Sequence, residues 1–414
     1  LARTSARKRK LTIAQKPSSR PTSLRHINAR ELYLLLREHG PCSRADLVRL
    51  SGLSGPTVSR SIDYLEEREL VISLGIGESG GGRPPDQLSL NHASVYVAGL
   101  EIRDSRLRVA LADLQGNRIG PWVSDLPKHK SPEKVVQALA AGVDLLLKQN
   151  NIRKSKLHAV SVSTPGIPDA KTGNLIFAPF LNWGDISLSK LLAKAFRIPV
   201  TVENEANLYA LGERAYGAAK GEDHFVFLDV DSGVGAGIFI NGMLYRGATG
   251  SAGEIGYMQV PAAPRGPFST LLPGTLEKVA GGKGIEETWH RLAKGKRKKT
   301  TAAEILTLAE AGDTMAKHVV ETAAKALCDV IANITVLLDP TMIVLGGPIG
   351  SSQVVFEAVL RTLKVQKHDL GRITVRLSHC GQDAALWGAL KTAIETAEAG
   401  LLDFTLNGRG KRLT

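Results

Sequence analysis

Apolar positions recur at three- and four-residue intervals near the start of the chain and change to strand-like runs further along. I-N-A-R-E-L-Y-L-L-L-R-E-H-G predicts a helix with Ile27, Leu32, Leu35 and Leu36 on one side and Gly40 as its stop. S-R-A-D-L-V-R-L-S-G predicts a short second helix, with Ser43 as N-cap, Asp46 three residues on and Gly52 at its end. A third helix opens at Ser54, tolerates Pro56 in its first turn, and turns Val58, Ile62 and Leu65 inward. The stretch V-I-S-L-G-I-G-E-S-G-G-G-R-P-P-D-Q-L-S-L then predicts two short strands around a Gly-rich loop. Three helices and a β-wing make a winged helix-turn-helix.

From Val95 the pattern becomes α/β. V-Y-V-A-G-L-E-I, L-R-V-A-L-A-D-L and N-R-I-G-P-W-V predict strands, the first two antiparallel. An amphipathic helix starts at Ser131, a buried strand runs from Leu157 into S-T-P-G-I-P, and P-V-T-V-E predicts a strand leading into helix E-A-N-L-Y-A-L-G-E. The stretch from His224 to Gly247 predicts a hairpin with a glycine turn and a second turn at Asn241-Gly242. Beyond about residue 276 the pattern is mostly helical, interrupted by T-M-I-V-L-G-G-P-I. It closes on a helix that Asp383 is expected to cap. No run of about 18 apolar residues suggests a membrane span.

Charge sharpens this picture. The chain has 414 residues and a formal net charge of +13. Residues 1–30 hold nine Lys or Arg and no acid, K-G-K-R-K-K follows at Lys294–Lys299, and the chain closes on G-R-G-K-R before its last two residues. Such clusters suit a polyanion, and with a helix-turn-helix the polyanion is DNA. Ser54, Thr57, Ser59, Arg60 and Ser61 are the candidates to reach base edges in a major groove. Arg44 is placed for a phosphate, and Arg83 at the wing tip for a minor groove. Because one such helix reads a half-site, operator DNA and a homodimer or homotetramer are the expected partners. Cys42, Cys328 and Cys380 have no metal-like spacing and suit a reducing cytoplasm; no secretory signal is evident.

The stretch L-D-V-D-S-G-V-G-A-G-I-F-I-N-G-M-L-Y-R-G-A-T-G-S-A-G-E-I-G resembles the signature of the ROK family (repressors, open reading frames, kinases). L-S-G-L-S-G-P-T-V-S-R and G-G-R-P resemble the DNA-binding half of that family's repressors. The resemblance runs from about residue 25 to 400. It implies a winged helix-turn-helix followed by a two-lobed actin-like sugar-kinase fold, an α/β architecture. The implied organisation is a disordered basic arm (1–22), a DNA-binding domain (23–90), a ROK domain (91–400) and a basic tail (401–414). Lobe one would comprise 91–204 with helix 384–398, and lobe two 205–383. The implied sugar ligands are Gly166, Asn204, Glu205, Glu254 and Glu277. Carboxylates and carboxamides suit a ring of hydroxyls, each of which donates and accepts. Asn207 and Glu213, further along the same helix, are expected to form a surface or helix-stabilising pair.

Four departures from the family's kinases decide the expected function. The first phosphate loop, an Asp with glycines and Thr in the kinases, is G-L-E-I-R-D-S-R-L-R here, where Arg103 or Arg106 offers an anion site of another geometry. The kinases' catalytic Asp position is Glu205, and a base displaced by one methylene can cost on the order of 100-fold in rate. The family's zinc-binding His is Tyr257, a candidate sugar contact, and the following loop has no Cys, so neither zinc nor another cofactor is expected. D-S-G-V-G-A-G and L-G-G-P-I, the second phosphate loop and adenosine-side glycines, remain. The resemblance thus implies a sugar-responsive regulator of carbohydrate genes, a repressor, without catalysis. The alternatives are a sugar kinase with an appended DNA-binding domain, and a regulator whose pocket no longer responds to ligand.

Overall fold

The computed structural model of the chain describes residues 21–76, 86–103, 105–127, 131–169, 174–177, 183, 187–262, 274–294, 300–366 and 374–402. They divide into two units, one running to Ser94 and resuming at Glu398, the other spanning Val95–Ala397.

The smaller unit contains α1 (Pro21–His39), β1 (Cys42–Ser43), α2 (Arg44–Ser51), α3 (Gly55–Glu66), β2 (Val71–Ile76) and β3 (Asp86–Leu90). The expected capping box is present: the Ser43 hydroxyl accepts from the Asp46 N–H, and the Asp46 carboxylate accepts from the Ser43 N–H. Gly52, at φ 68°, ends α2 in the left-handed region that favours glycine. Leu32, Leu36, Leu47, Val58, Ile62, Leu65 and Leu88 form the core. β3 lies between β2 and the short β1, antiparallel to both, which the strand pattern did not suggest.

One inward assignment is corrected. Ile27 is 58% exposed, because the buried stripe is Ala29, Leu32, Tyr33 and Leu36, with spacing i, i+3, i+4, i+7. Two residues before Ala29, Ile27 falls on nearly the opposite side. α1 also starts at Pro21, ahead of the boundary drawn at 22. The last turn of the C-terminal helix joins this core through Leu401 and Leu402, and Glu398 accepts from Tyr33 and from Arg37 (2.7 Å). Helical structure thus extends past residue 400 into the stretch read as tail.

In the larger unit the first lobe runs β4 (Tyr96–Ile102), β5 (Arg106–Asp113), β6 (Arg118–Asp125), α4 (Pro132–Gln149), β7 (Leu157–Thr164), β8 (Ile167–Pro168), β9 (Leu175–Phe177), α5 (Leu188–Phe196) and β10 (Val200–Asn204). The second runs α6 (Glu205–Tyr216), β11 (Phe225–Val230), β12 (Val234–Ile240), β13 (Met243–Leu244), α7 (Glu277–Ala280), α8 (Gly282–Leu292), α9 (Ala302–Glu310), α10 (Thr314–Leu338), β14 (Met342–Gly346), α11 (Gly347–Gly350), α12 (Gln353–Gln366) and β15 (Val375–Leu377). α13 (Ala384–Leu402) follows.

The two sheets share one topology. In the order β10-β7-β4-β5-β6, an antiparallel meander β4-β5-β6 gains two parallel strands beside β4. In β13-β12-β11-β14-β15 the meander β11-β12-β13 gains two parallel strands beside β11 in the same way. Each lobe has its own apolar core. Leu100, Val109 and Val160 pack with Leu139 and Leu192 in the first, and Leu228 and Leu345 with Ile285, Ile305 and Leu327 in the second.

α6 joins the lobes to α13. On one side Ala206 and Ala210 meet β12, where Gly235 and Gly237 leave room for them. On the other, Gly388 of α13 lies against the Leu208 carbonyl of α6, and Gly212 of α6 against the Ala384 carbonyl of α13. A Cβ at either glycine would overlap the facing carbonyl.

Asn207 and Glu213 are not a surface pair: their exposures are 3% and 0%. The Glu213 carboxylate accepts from Ser378 Oγ (2.5 Å), Ala218 N (2.6 Å), Cys380 N (2.8 Å) and His379 N (3.2 Å). It therefore fastens the end of α6 to the segment leading into α13. Asp383 is not a simple N-cap either, since its carboxylate takes Arg108 and Arg118 (2.7 Å). Among the cysteines, Cys42 and Cys328 are buried and Cys380 is half-buried; burial first pushes both Cys328 and Cys380 up to about 12. No described helix is long and apolar enough to cross a membrane.

Candidate functional site

The end of β10 and the start of α6 anchor the site. Asn204 is the N-cap of α6: its Oδ1 accepts from Ala206 N (2.9 Å), while its Nδ2 donates to the Gly166 carbonyl (3.0 Å). The two expected ligands Asn204 and Gly166 are thus in direct contact, and β7 lies beside β10 with Thr164 opposite Asn204. Glu203 had no assigned role. It is buried, accepts from Asn204 N and Asn207 Nδ2, and accepts from Arg246 Nε at 2.7 Å. That ion pair holds the segment after β13 against the end of β10. Gly250 lies over the Pro168 carbonyl in the same segment, where a Cβ would approach to 3.0 Å. Thr164 Oγ1, Ser163 Oγ and Asn207 Oδ1 are buried here with no hydrogen-bond partner among the described residues.

The segment continues to Glu254 and Tyr257, which share an electrostatic environment with Glu277 at the start of α7. Burial, then the Glu277 charge, raises the Glu254 carboxyl to about 7. Burial, then Glu254 and Glu277, raises the Tyr257 hydroxyl. Burial also raises Glu277, against the pull of Lys283 and of the Val234 N–H. Gly233 and Gly256 flank the Glu277 carboxylate, at 3.2 and 3.1 Å from where their Cβ atoms would be. The glycines of this stretch therefore make room for a carboxylate as well as for a turn.

Glu205, the first residue of α6, faces a different neighbourhood. Burial pushes its carboxyl well above the ordinary range, Asp229 adds to the rise, and Arg103 opposes it. Asp229 on β11 is 4% exposed, and its Oδ1 has no partner among the described residues. Burial, then Asp231, raises it to about 7. Arg103 stands where the first phosphate loop was expected, ion-paired to Asp231 of the second loop and 3.8 Å from Glu101. Arg108 takes the other side of Glu101 at 2.9 Å. Arg106 is exposed at the β4–β5 turn.

The groups named from the sequence therefore fall into three neighbouring sets: Gly166 with Asn204, Glu254 with Tyr257 and Glu277, and Glu205 with the charges around Arg103. The Arg103–Asp231 pair joins residues 128 apart, which no local pattern signals.

In the smaller unit, Ser54 and Arg60 are exposed and Thr57 and Ser59 half-buried on α3. Ser54 Oγ and Thr57 Oγ1 share a hydrogen bond of 2.8 Å. Ser61 is corrected: it is 1% exposed and belongs to the core face with Ile62 and Leu65. Arg44 meets three acids, Glu66 at 3.1 Å, Asp63 at 3.5 Å and Asp86 at 3.9 Å. Arg83 and the cluster at 295–299 lie outside the described residues.

The chain is similar to known proteins along most of its length. The profile of the ROK family matches residues 97–396, and that of the MarR family matches residues 28–75. The xylose repressor of Bacillus subtilis (strain 168) is 30% identical over 329 residues, 79% of this chain and 84% of that protein. Among solved structures, a ROK family transcriptional regulator described as a homologue of the E. coli MLC protein superposes with a TM-score of 0.75 at 23% identity, over 92% of this chain and 98% of the other. A ROK hexokinase from Thermus thermophilus superposes with a TM-score of 0.62 at 27% identity, covering 74% and 100%. With the two repeated sheets, the signature stretch along β11–β12 and a family profile spanning nearly the whole larger unit, the chain belongs to the ROK family.

Proposed function

We propose that the protein is a sugar-responsive transcriptional repressor of carbohydrate genes, whose larger unit binds a monosaccharide or a derivative and does not transfer phosphate. The observation that carries this reading is the Arg103–Asp231 ion pair. In-line phosphoryl transfer needs open backbone N–H groups or free cations where charge develops. Here a guanidinium and a carboxylate neutralise each other at that place. The likeness to a xylose repressor, and the winged helix with an exposed Arg60, support the regulatory half.

In this reading Asn204, Glu205, Glu254, Tyr257 and Glu277 contact the sugar, and Gly166 positions Asn204. Ser54, Thr57, Ser59 and Arg60 read base edges, and Arg44 contacts phosphate. A dimer reads two half-sites, and effector binding lowers DNA affinity by favouring the conformation that binds DNA less well. The test is fluorescence anisotropy on the DNA upstream of its own gene, titrated with pentoses and hexoses. One sugar releasing the DNA supports the reading, whereas ATP-dependent phosphorylation lost in Glu205→Ala would establish the kinase alternative.

Two predictions arise here. Arg60→Ala weakens operator binding by about 1–3 kcal/mol and relaxes specificity at one base position. It leaves stability within about 0.5 kcal/mol, because Arg60 is exposed. An operator affinity and an operator-to-scrambled ratio left unchanged by the substitution would remove Arg60 from the readout.

The second concerns pH. With its folded-state pKa raised from 4.5 to about 7, Glu254 keeps a proton that the unfolded chain releases. It therefore lowers stability progressively as pH rises through that window. A sugar hydroxyl donates to the ionised carboxylate, so binding expels this proton. Affinity should rise about tenfold per unit below pH 7 and level off above it. Calorimetry at pH 6.5 in two buffers of different ionisation enthalpy measures the released proton, and Glu254→Gln removes the part of the dependence centred near pH 7 that this carboxyl contributes. A flat profile in the parent protein rules out Glu254 as an acceptor.

A further inference from the structure

We infer that the carboxylates around Arg103 make this site selective for a free sugar and hostile to its phosphate ester at the hydroxyl that meets Glu205; this rests on the sugar-binding reading above. Asp229, Arg103, Asp231 and Glu101 all act on the Glu205 carboxyl, and Arg103 draws two of those acids together, ion-paired to Asp231 and 3.8 Å from Glu101, so a hydroxyl held by Glu205 would lie beside this group. A phosphate on that oxygen would bring a dianion among four carboxylates.

Among the described residues, the guanidiniums that meet these carboxylates are already ion-paired. Arg103 is ion-paired to Asp231 and borders Glu101. Arg108 bridges Glu101 and Asp383, and Asp383 also takes Arg118. Protons on Glu205 and Asp229 would remove repulsion there but supply no cation. Asp229 Oδ1, buried beside Gly347 and without a partner among the described residues, adds negative charge to this neighbourhood and supplies no donor. On the other flank, Glu254 and Glu277 lie together, and Lys283 acts on Glu277. A neutral ring of hydroxyls finds acceptors among these carboxylates, whereas an anion finds like charge or pairs it must break.

Asp231 is the specificity-determining residue in this account, because it occupies the guanidinium that would otherwise receive a phosphate. The experiment uses the full chain and a panel of pentoses, hexoses and N-acetylhexosamines, each beside its terminal phosphate ester. Thermal shift is read first and calorimetry second. The expected result is that at least one free sugar binds while its ester binds at least about 100-fold more weakly. Asp231→Asn should then shrink that gap by at least about tenfold by releasing Arg103. An ester that binds as tightly as its free sugar overturns the inference and leaves the sugar-binding reading standing. Binding of neither form across the panel overturns both. The comparison in the parent protein is decisive even if the variant is unstable.

Discussion

Gly388→Val destabilises the larger unit by at least about 3 kcal/mol, an effect at or beyond the upper end of ordinary overpacking. A Cβ on Gly388 would overlap the Leu208 carbonyl, and backbone cannot swing aside as a side chain does. The helices must separate, pulling Leu208, Ala384, Ala385 and Ala389 from their shared core. Gly212→Ala meets the Ala384 carbonyl at the same crossing and should behave alike. Because either change alone forces the helices apart, the double variant should lose less than the two losses added. Gly400, also in α13, has nothing within 4 Å of its Cβ position, so Gly400→Ala should stabilise by roughly 0.5–1 kcal/mol through helix propensity alone. Denaturant unfolding of the four variants gives opposite signs along one helix. A Gly388→Val variant as stable as the parent would disprove the close approach.

Glu213→Ala is expected to cost about 3 kcal/mol or more. Three backbone N–H groups, of Ala218, His379 and Cys380, and the Ser378 hydroxyl converge on this carboxylate inside the protein. Removing the acceptor strands buried donors, each worth about 1–3 kcal/mol when unmet. Glu213→Gln keeps the shape and one oxygen acceptor but turns an amide N–H₂ toward donors, so its loss should be smaller and still clear. Hydrogen exchange offers a local check: protection of the Cys380 and His379 amides should fall in both variants. Unchanged protection together with unchanged melting would mean that the pin is not made.

The winged helix was legible because its signals are local. A cap and its partner lie three residues apart, Gly52 ends the helix it follows, and the stripe of Val58, Ile62 and Leu65 is set by the helix period. Ile27 failed because the stripe's phase depends on Ala29, a residue too small to weigh in a hydrophobic pattern. In the larger unit the succession of strands and helices along the chain and the family signature were readable, but Glu203 and Glu213 were not. Their donors come from Arg246 and from residues 378–380, across large sequence separations, so periodicity could place them on an element but not among partners. The sequence revealed that the first phosphate loop lacked its glycines. It did not reveal that Arg103 would be taken up by Asp231.

The state of the three cysteines has a practical consequence for measuring motion in this protein. Cys42 and Cys328 are buried, and the Cys380 thiol, pushed up to about 12, is ionised at pH 7 to only about one part in 100,000. Alkylating reagents attack the thiolate, so a cysteine introduced at an exposed site such as Met243 should capture a maleimide dye well before the native thiols. Paired dyes at two such sites could then report the separation of the lobes by energy transfer as sugars are added, without first stripping the chain of its own sulfur.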